Sequence, residues 1–236
     1  MSTFTIIVPI FNEKDNLSRL ESELVKFINS TVFETKVLLI NDGSTDGGED
    51  IINEICKKND FFESISFIEN SGLSSALKAG FDLCNSEYIG YIDADLQTSP
   101  SDFHILLKYI DQYDLVTGHR SKRKDSYLKN ISSLVANGIR NIFTNDGVND
   151  TGCPLKVIKT GFAKRIPMFK GLHRFLPAMI LLQKGKIIEV PVKHFPRIAG
   201  KSKFGLFNRI LGPLYDCFAF IWMKRKYINY QIKDNE

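Results

Sequence analysis

The chain has 236 residues, 43% apolar and 25% charged, values of a globular protein long enough to bury a core, which exclude disorder, collagen and coiled coil. Its net charge of +4 conceals a split: residues 1–155 hold 14 Lys/Arg against 23 Asp/Glu, whereas residues 156–226 hold 16 Lys/Arg against Glu189 and Asp216 alone. An acidic half followed by a basic half points to a metal or polar site in the first and an anionic partner for the second, with no sign of nucleic acid as that partner.

Residues 4–10 (FTIIVPI) read as a buried strand. Residues 15–30 place Leu17, Leu20, Leu24, Phe27 and Ile28 on one helical face. Strands follow at 36–40, 64–68, 88–92 and 113–117, alternating with helices over 46–58, 72–84 and 101–110; Asp46 is the expected N-cap of the second helix. This alternation predicts an α/β fold, a mostly parallel sheet with helices on both faces, in which ligands sit beyond the carboxyl ends of the strands. Beyond residue 120 the pattern changes. A basic loop is expected over 120–130, helix over 131–143, strand over 151–159 leading into helix near 160–166, helix over 174–183, strand over 186–192 and a basic, aromatic C-terminus.

Cys56, Cys84, Cys153 and Cys217 show no C-x-x-C spacing, which argues against a zinc knuckle and suits a reducing compartment. The first residues lack a basic stretch, their apolar run ends at Pro9, and no apolar run reaches the ~18 residues of a bilayer span. The expectation is a chain without signal peptide or transmembrane helix.

The sharpest motif is Y-I-D-A-D-L-Q at 91–97. Asp93 and Asp95 close a buried strand, and residues two apart on an extended segment point the same way. Two carboxylates facing one cavity repel unless a positive charge lies between them, and a hard divalent cation fits that role, with Gln97 adding a neutral oxygen. N-D-G-S-T-D-G at 41–47 also follows a strand, and its glycines permit a tight turn. Asp42 stands where a carboxylate can accept from a base or ribose. In V-P-I-F-N-E at 8–13, Pro9 breaks the ladder, Phe11 can lie against a flat ring and Glu13 can accept hydrogen bonds.

V-P-I-F-N-E, N-D-G-S-T-D-G, E-N-S-G with a following A-L-K-A-G, and D-A-D-L-Q occur in that order. Over residues 4–120 they resemble the nucleotide-sugar half of family 2 glycosyltransferases, whose Rossmann-like fold is called GT-A. D-A-D-L-Q followed by Pro100, G-H-R at 118–120, G-C-P-L-K-V-I-K at 152–159 and F-P-R-I-A-G-K-S-K-F-G at 195–205 are similar to dolichyl-phosphate mannose synthases and other polyprenyl-phosphate glycosyltransferases. The resemblance implies that Pro9, Phe11, Glu13 and Asp42 contact the nucleotide, that Asp93, Ala94, Asp95 and Arg120 contact the nucleotide sugar, and that Asp95 and Gln97 hold Mg2+ or Mn2+. Arg120, Arg197 and Lys203 match basic residues that hold phosphates, and Arg174, in an H-R-F-x-P-A segment, matches an acceptor contact. Asp93, Asp95, Arg120 and Arg174 are the expected catalytic set. Glu69, where many relatives carry a basic residue, and Thr98-Ser99, where mannose synthases often have a His–Pro–Pro run, leave the sugar open.

This reading explains the charge split. A diphosphate leaving group builds negative charge, and a lipid-phosphate acceptor brings a second anion that Arg and Lys neutralise. The expected reaction is metal-dependent inverting transfer from a nucleotide diphosphate sugar to a polyprenyl phosphate at the cytoplasmic face of the membrane. A glycan hydroxyl as acceptor and a non-catalytic nucleotide-sugar-binding subunit are the alternatives. The expected organisation is a catalytic domain over 1–205 and an amphipathic helical extension over 206–236. In that extension Leu214, Phe218, Ile221 and Trp222 share a face and Lys224-Arg225-Lys226 follow. The pattern suits a helix in the headgroup region as well as one packed on the core, and the lipid substrate favours the membrane, with peripheral attachment, a homo-oligomer or a separate membrane partner as the modes of assembly.

Overall fold

The computed structural model describes residues 2–120, 138, 140–197 and 211–228. Among these, one sheet contains β1 (Thr3–Ile10), β2 (Glu34–Asn41), β3 (Phe62–Ser66), β4 (Tyr88–Tyr91), β5 (Leu115–Arg120), β6 (Lys156–Lys159) and β7 (Ile187–Val192), in the spatial order β3-β2-β1-β4-β6-β5-β7. The pairs β1–β2, β1–β4, β2–β3 and β5–β7 are parallel. Only β6 runs the other way, antiparallel to both β4 and β5. The carboxyl ends of β1, β2, β4 and β5 therefore share one edge with the start of β6, which is where a parallel sheet presents its ligand site.

Both faces are covered. Alternation along the central strands sends Phe4, Ile6, Val8 and Ile10 of β1 to one side, against Leu17, Leu20, Leu24 and Phe27 of α1 (Leu17–Ser30) and Ile52 and Ile55 of α2 (Gly48–Lys58). Ile7 of β1, with Leu38 and Ile40 of β2, faces the other side. There Ala76, Leu77 and Phe81 of α3 (Leu73–Leu83) pack with Ala178, Met179 and Ile180 of α6 (Leu176–Leu182). Near-continuous burial on both faces is what a parallel sheet requires. Further helices are α4 (Phe103–Leu107), α5 (Thr160–Lys164) and α7 (Leu211–Lys226). From α7, Cys217, Phe220 and Met223 enter the second core, and the Phe220 ring stacks on Phe175 at a centroid distance of 5.2 Å.

The local differences from expectation have physical causes. The third strand begins at Phe62 rather than 64 because Phe62 pairs with Val37 and is buried, whereas Ile68 lies wholly in solvent. The residue capping α2 is Gly47, in a left-handed conformation (φ 77°), and not Asp46; the Asp46 carboxylate instead accepts from the backbone N–H of Gly48 at 2.9 Å and of Lys14 at 2.9 Å, tying the first two strand-to-helix loops together. The helices expected over 101–110 and 174–183 are shorter α segments preceded by 3-10 turns at Pro100–Asp102 and Leu172–Phe175. Of the 131–143 helix, residues 138 and 140–143 are described and helical. The basic stretch over 121–130 and the segment over 198–210, with Lys203, lie outside the described residues.

Candidate active site

The edge of the sheet opens into a cavity of about 530 Å3. Pro9, Phe11 and Glu13 reach it from the end of β1, Asp42 from β2, and Asp93, Ala94 and Asp95 from the turn after β4. Arg174 and Arg197 line it from the basic half. Nine residues named from the sequence, drawn from five segments, thus converge on one space.

The loops that carry them are locked to one another. Asn12 adopts φ 50°, its backbone N–H donates to Ser44 Oγ at 3.0 Å, and its side-chain oxygen accepts from the Thr45 N–H at 2.7 Å. Gly43, at φ 67°, is required: a Cβ there would stand 2.5 Å from the Glu69 carbonyl carbon. That approach lets the Asp42 carboxylate accept from Asn70 Nδ2 at 2.9 Å and from the backbone N–H groups of Ser71 at 2.7 Å and Gly72 at 2.9 Å. Asp42 lines the cavity, and its carboxylate is engaged in fixing the entry to α3.

Asp93 and Asp95 form the electrostatic centre. Tyr91 Oη donates to Asp93 Oδ1 at 2.7 Å. Burial, and then the neighbouring Asp95 charge, push the Asp93 carboxyl up to about 6; the Tyr91 bond and the Lys156 and Arg120 cations hold it from rising further. Lys156, the first residue of β6, is a fully buried ammonium that donates to the backbone oxygens of Thr151, at 3.3 Å, and of Cys153, with its Nζ 6.0 Å from the Tyr91 ring centre. Burial lowers its pKa. Asp95 is 5% exposed. Its Oδ1 accepts from the Gln97 N–H at 3.1 Å and its Oδ2 from Arg197 Nη2 at 2.7 Å, while Arg197 Nη1 lies 3.4 Å from Glu13 Oε1.

This arrangement predicts a pH effect. An Asp93 pKa raised from 3.8 to about 6 means that the folded chain binds a proton through that interval which the unfolded chain has released, so stability of the metal-free protein falls as pH rises through it. Asp93→Asn removes the penalty. In the presence of a chelator the variant is expected to melt roughly 5 °C above wild type at pH 7.5 and at about the same temperature at pH 4. Calorimetry at the two pH values checks this, and a difference that does not grow with pH contradicts it.

Two expected site residues lie beside the cavity rather than on it. Arg120 makes a bidentate pair with Asp150, Nε to Oδ2 at 2.7 Å and Nη2 to Oδ1 at 2.8 Å. Asp150 is held in turn by Glu189, whose carboxylate accepts its backbone N–H at 2.7 Å. Gln97 follows Leu96, a residue at φ 51°, and its backbone oxygen accepts from the Phe195 N–H at 2.9 Å, which pins the 193–197 segment near Asp95.

The same cavity is also lined by Lys170, Gly171, His173, Arg174 and, from α7, Asp216, of which Lys170, Gly171 and Asp216 belong to no motif read from the sequence. Ser74 Oγ accepts from the Gly171 N–H at 3.0 Å and lies 2.9 Å from His173 Nδ1. Burial and the Arg174 charge lower the His173 pKa to about 3, so the ring is neutral at physiological pH. The one signal for Asp216 was its rarity as an acid in a basic stretch.

Among the described residues no three His, Cys, Asp or Glu side chains converge as an all-protein metal cage. The donor set nevertheless fits a hard divalent cation: two carboxylates face the cavity, and one of them already takes a cationic guanidinium. Mg2+ in particular is commonly bound by one or two carboxylates plus substrate phosphates.

A mostly parallel sheet with carboxylates at its carboxyl edge and helices on both faces is the GT-A architecture, and three solved structures share it. They are glucosyl-3-phosphoglycerate synthase from Mycobacterium tuberculosis with uridine diphosphate (TM-score 0.70, 15% identity, 92% of this chain and 80% of that one), the same enzyme with Mn2+, UDP-glucose and phosphoglyceric acid (0.70, 12%, 97% and 81%), and mannosyl-3-phosphoglycerate synthase from Rubrobacter xylanophilus (0.70, 14%, 99% and 77%). Residues 5–165 match the family model described as Glycosyl transferase family 2, and the chain belongs to that family. It is 29% identical over 214 residues to the undecaprenyl-phosphate 4-deoxy-4-formamido-L-arabinose transferase of Edwardsiella ictaluri, covering 90% of this chain and 66% of that protein. It is 28% identical over 229 residues to the dodecaprenyl-phosphate galacturonate synthase of Rhizobium johnstonii, covering 94% and 67%. The chain spans about two thirds of the length of these curated relatives.

Proposed function

We propose that the protein transfers a sugar, with inversion, from a nucleotide diphosphate sugar to a polyprenyl phosphate at the cytoplasmic face of a membrane. The observation that carries this reading is a single cavity lined both by the Asp93 and Asp95 carboxylates and by the cationic Lys170 and Arg174. It is supported by two relatives named for transfer to undecaprenyl and dodecaprenyl phosphate.

In this reading Phe11 lies against the base, with Pro9, Glu13 and the loop braced by Asp42 forming the rest of the nucleotide site. Asp93, Ala94 and Asp95 face the diphosphate and sugar. Asp95, with Gln97 completing its surroundings, holds Mg2+ or Mn2+, which when bound offsets charge on the departing diphosphate; a structural neighbour is named for its complex with Mn2+ and UDP-glucose. Arg174, Arg197 and Lys203 grip acceptor phosphate, and Arg120, held by Asp150, contributes positive potential beside Asp93. An acceptor phosphate oxygen attacks the anomeric carbon from the face opposite the diphosphate. The new C–O bond forms as the old one breaks, and its electron pair leaves on the nucleoside diphosphate. A phosphate monoester is largely ionised near neutral pH, its second pKa being about 6, so the step needs no strong general base.

Membrane attachment rests on α7. While Cys217 and Phe220 pack inward, Tyr215, Phe218 and Trp222 stand exposed, with Lys224-Arg225-Lys226 at the helix end. Aromatic tips beside a basic cluster suit an anionic bilayer surface. Among the described residues no helix is long and apolar enough to cross a membrane.

A second reading is favoured by Asp216, a carboxyl in the cavity wall whose pKa burial raises. Such a group is suited to act as base for a hydroxyl acceptor. Incubation with Mn2+, a panel of nucleotide sugars and either undecaprenyl phosphate or saccharide acceptors separates the readings. Lipid-linked sugar with at least one donor is expected; product on saccharides alone rejects the lipid-phosphate acceptor.

A further inference from the structure

The stretch over 156–226 retains two acids among 16 Lys/Arg, and each braces an arginine named at the site. Glu189 acts indirectly, by holding the backbone N–H of Asp150, the partner of Arg120. Asp216 acts directly: Arg174 Nη1 donates to its Oδ2 at 3.1 Å. Asp216 comes from α7, and Arg174 from the 3-10 turn before α6. The contact is built into the backbone. Gly171 adopts φ 98°, which favours glycine, and a Cβ on it would stand 2.3 Å from Asp216 Oδ2 and displace that carboxylate.

A carboxylate is a poor choice on a wall meant for an anion unless it has another task, because it subtracts from the positive potential there. Its compensating use is geometric. A guanidinium carries five N–H donors in a rigid plane, and engaging one edge fixes where the others point. Lys170, on the same wall, keeps the net charge positive. Resting on the lipid-phosphate reading above, we infer that Asp216 is a positioning residue for the acceptor, anchoring Arg174 so that its remaining donors face the acceptor phosphate. The C-terminal helix is thereby part of the acceptor site, and its seating on the protein body and acceptor binding are coupled through one ion pair.

The test is steady-state kinetics of the full chain with Mn2+, the donor found active in the panel, and undecaprenyl phosphate in detergent. Asp216→Asn is expected to raise acceptor KM about 10-fold, with donor KM within twofold of wild type. Arg174→Gln is expected to do the same, and the double variant to be no worse than Arg174→Gln alone, because the two side chains act as a unit. A general structural defect would move both KM values and the melting temperature together. Asp216→Ser, smaller and uncharged, serves if the Asn variant does not fold. An unchanged acceptor KM, additive losses in the double variant, or a loss of kcat alone overturns the inference; the last places Asp216 in the chemical step rather than in acceptor positioning. Absence of lipid product from the wild-type protein rejects the lipid-phosphate reading itself and is scored before any variant is compared.

Discussion

Asp95→Ala is expected to lower sugar transfer about 1,000-fold and to remove Mn2+ binding measured by electron paramagnetic resonance, with the fold intact. The magnitude follows from what this side chain does in the proposed site. It is one of two carboxylates aimed at the space where diphosphate charge develops, and a single preorganised electrostatic contact of that kind is worth about 100- to 1,000-fold in rate. The loss of the cation that Asp95 would hold, and of the charge it would offset on the diphosphate, adds to it. The fold is expected to tolerate the change because Asp95 repels Asp93 across the turn, and removing it relieves that repulsion, which after burial is the next cause of the raised Asp93 pKa. What is lost locally is one acceptor for the Gln97 N–H and the partner of Arg197 Nη2. Turnover within tenfold of wild type, or retained Mn2+ affinity, removes Asp95 from the assignment.

The largest expected loss of stability comes from a buried ion pair outside the cavity. Arg140 is 5% exposed and the Asp146 side chain 0%. The guanidinium also donates to the Val148 carbonyl at 3.0 Å and to Thr144 Oγ1 at 3.1 Å. Arg140→Met leaves a carboxylate buried without its cation, which costs about 3–5 kcal/mol and lowers the melting temperature by about 10 °C for a domain of this size. The double variant Arg140→Met, Asp146→Leu is expected to recover much of that loss, since an apolar pair of similar volume carries no unpaired charge. Urea unfolding of the three proteins measures it; a single-variant loss below about 1 kcal/mol contradicts the argument. The same network shapes the 146–150 turn that presents Asp150 to Arg120, so activity at low temperature is expected to fall as well.

The local regularities of the first 120 residues were legible because they are written in nearest-neighbour terms. Alternation of apolar residues in 4–10, the α1 stripe of Leu17, Leu20, Leu24 and Phe27, and the polar motifs at the strand ends each depend on spacing alone. Because parallel strands end at one edge, spacing also brought Glu13, Asp42, Asp93 and Asp95 to a common cavity. The second half was harder to read. Neither the antiparallel insertion of β6 between β4 and β5 nor the burial of Lys156 beneath Asp93 has a periodic signature.

What the sequence determined by itself was the α/β class, the acidic motif at the end of the fourth strand and the segregation of charge, since these follow from residue order and local geometry. The tertiary structure decided which side chains were already occupied: Asp42 by the 70–72 loop, Arg120 by Asp150, Asp95 by Arg197 and Arg174 by Asp216. Each of those pairings joins residues 28 to 102 positions apart. A chain sets such partnerships only when the packing of its sheet and helices brings distant segments together.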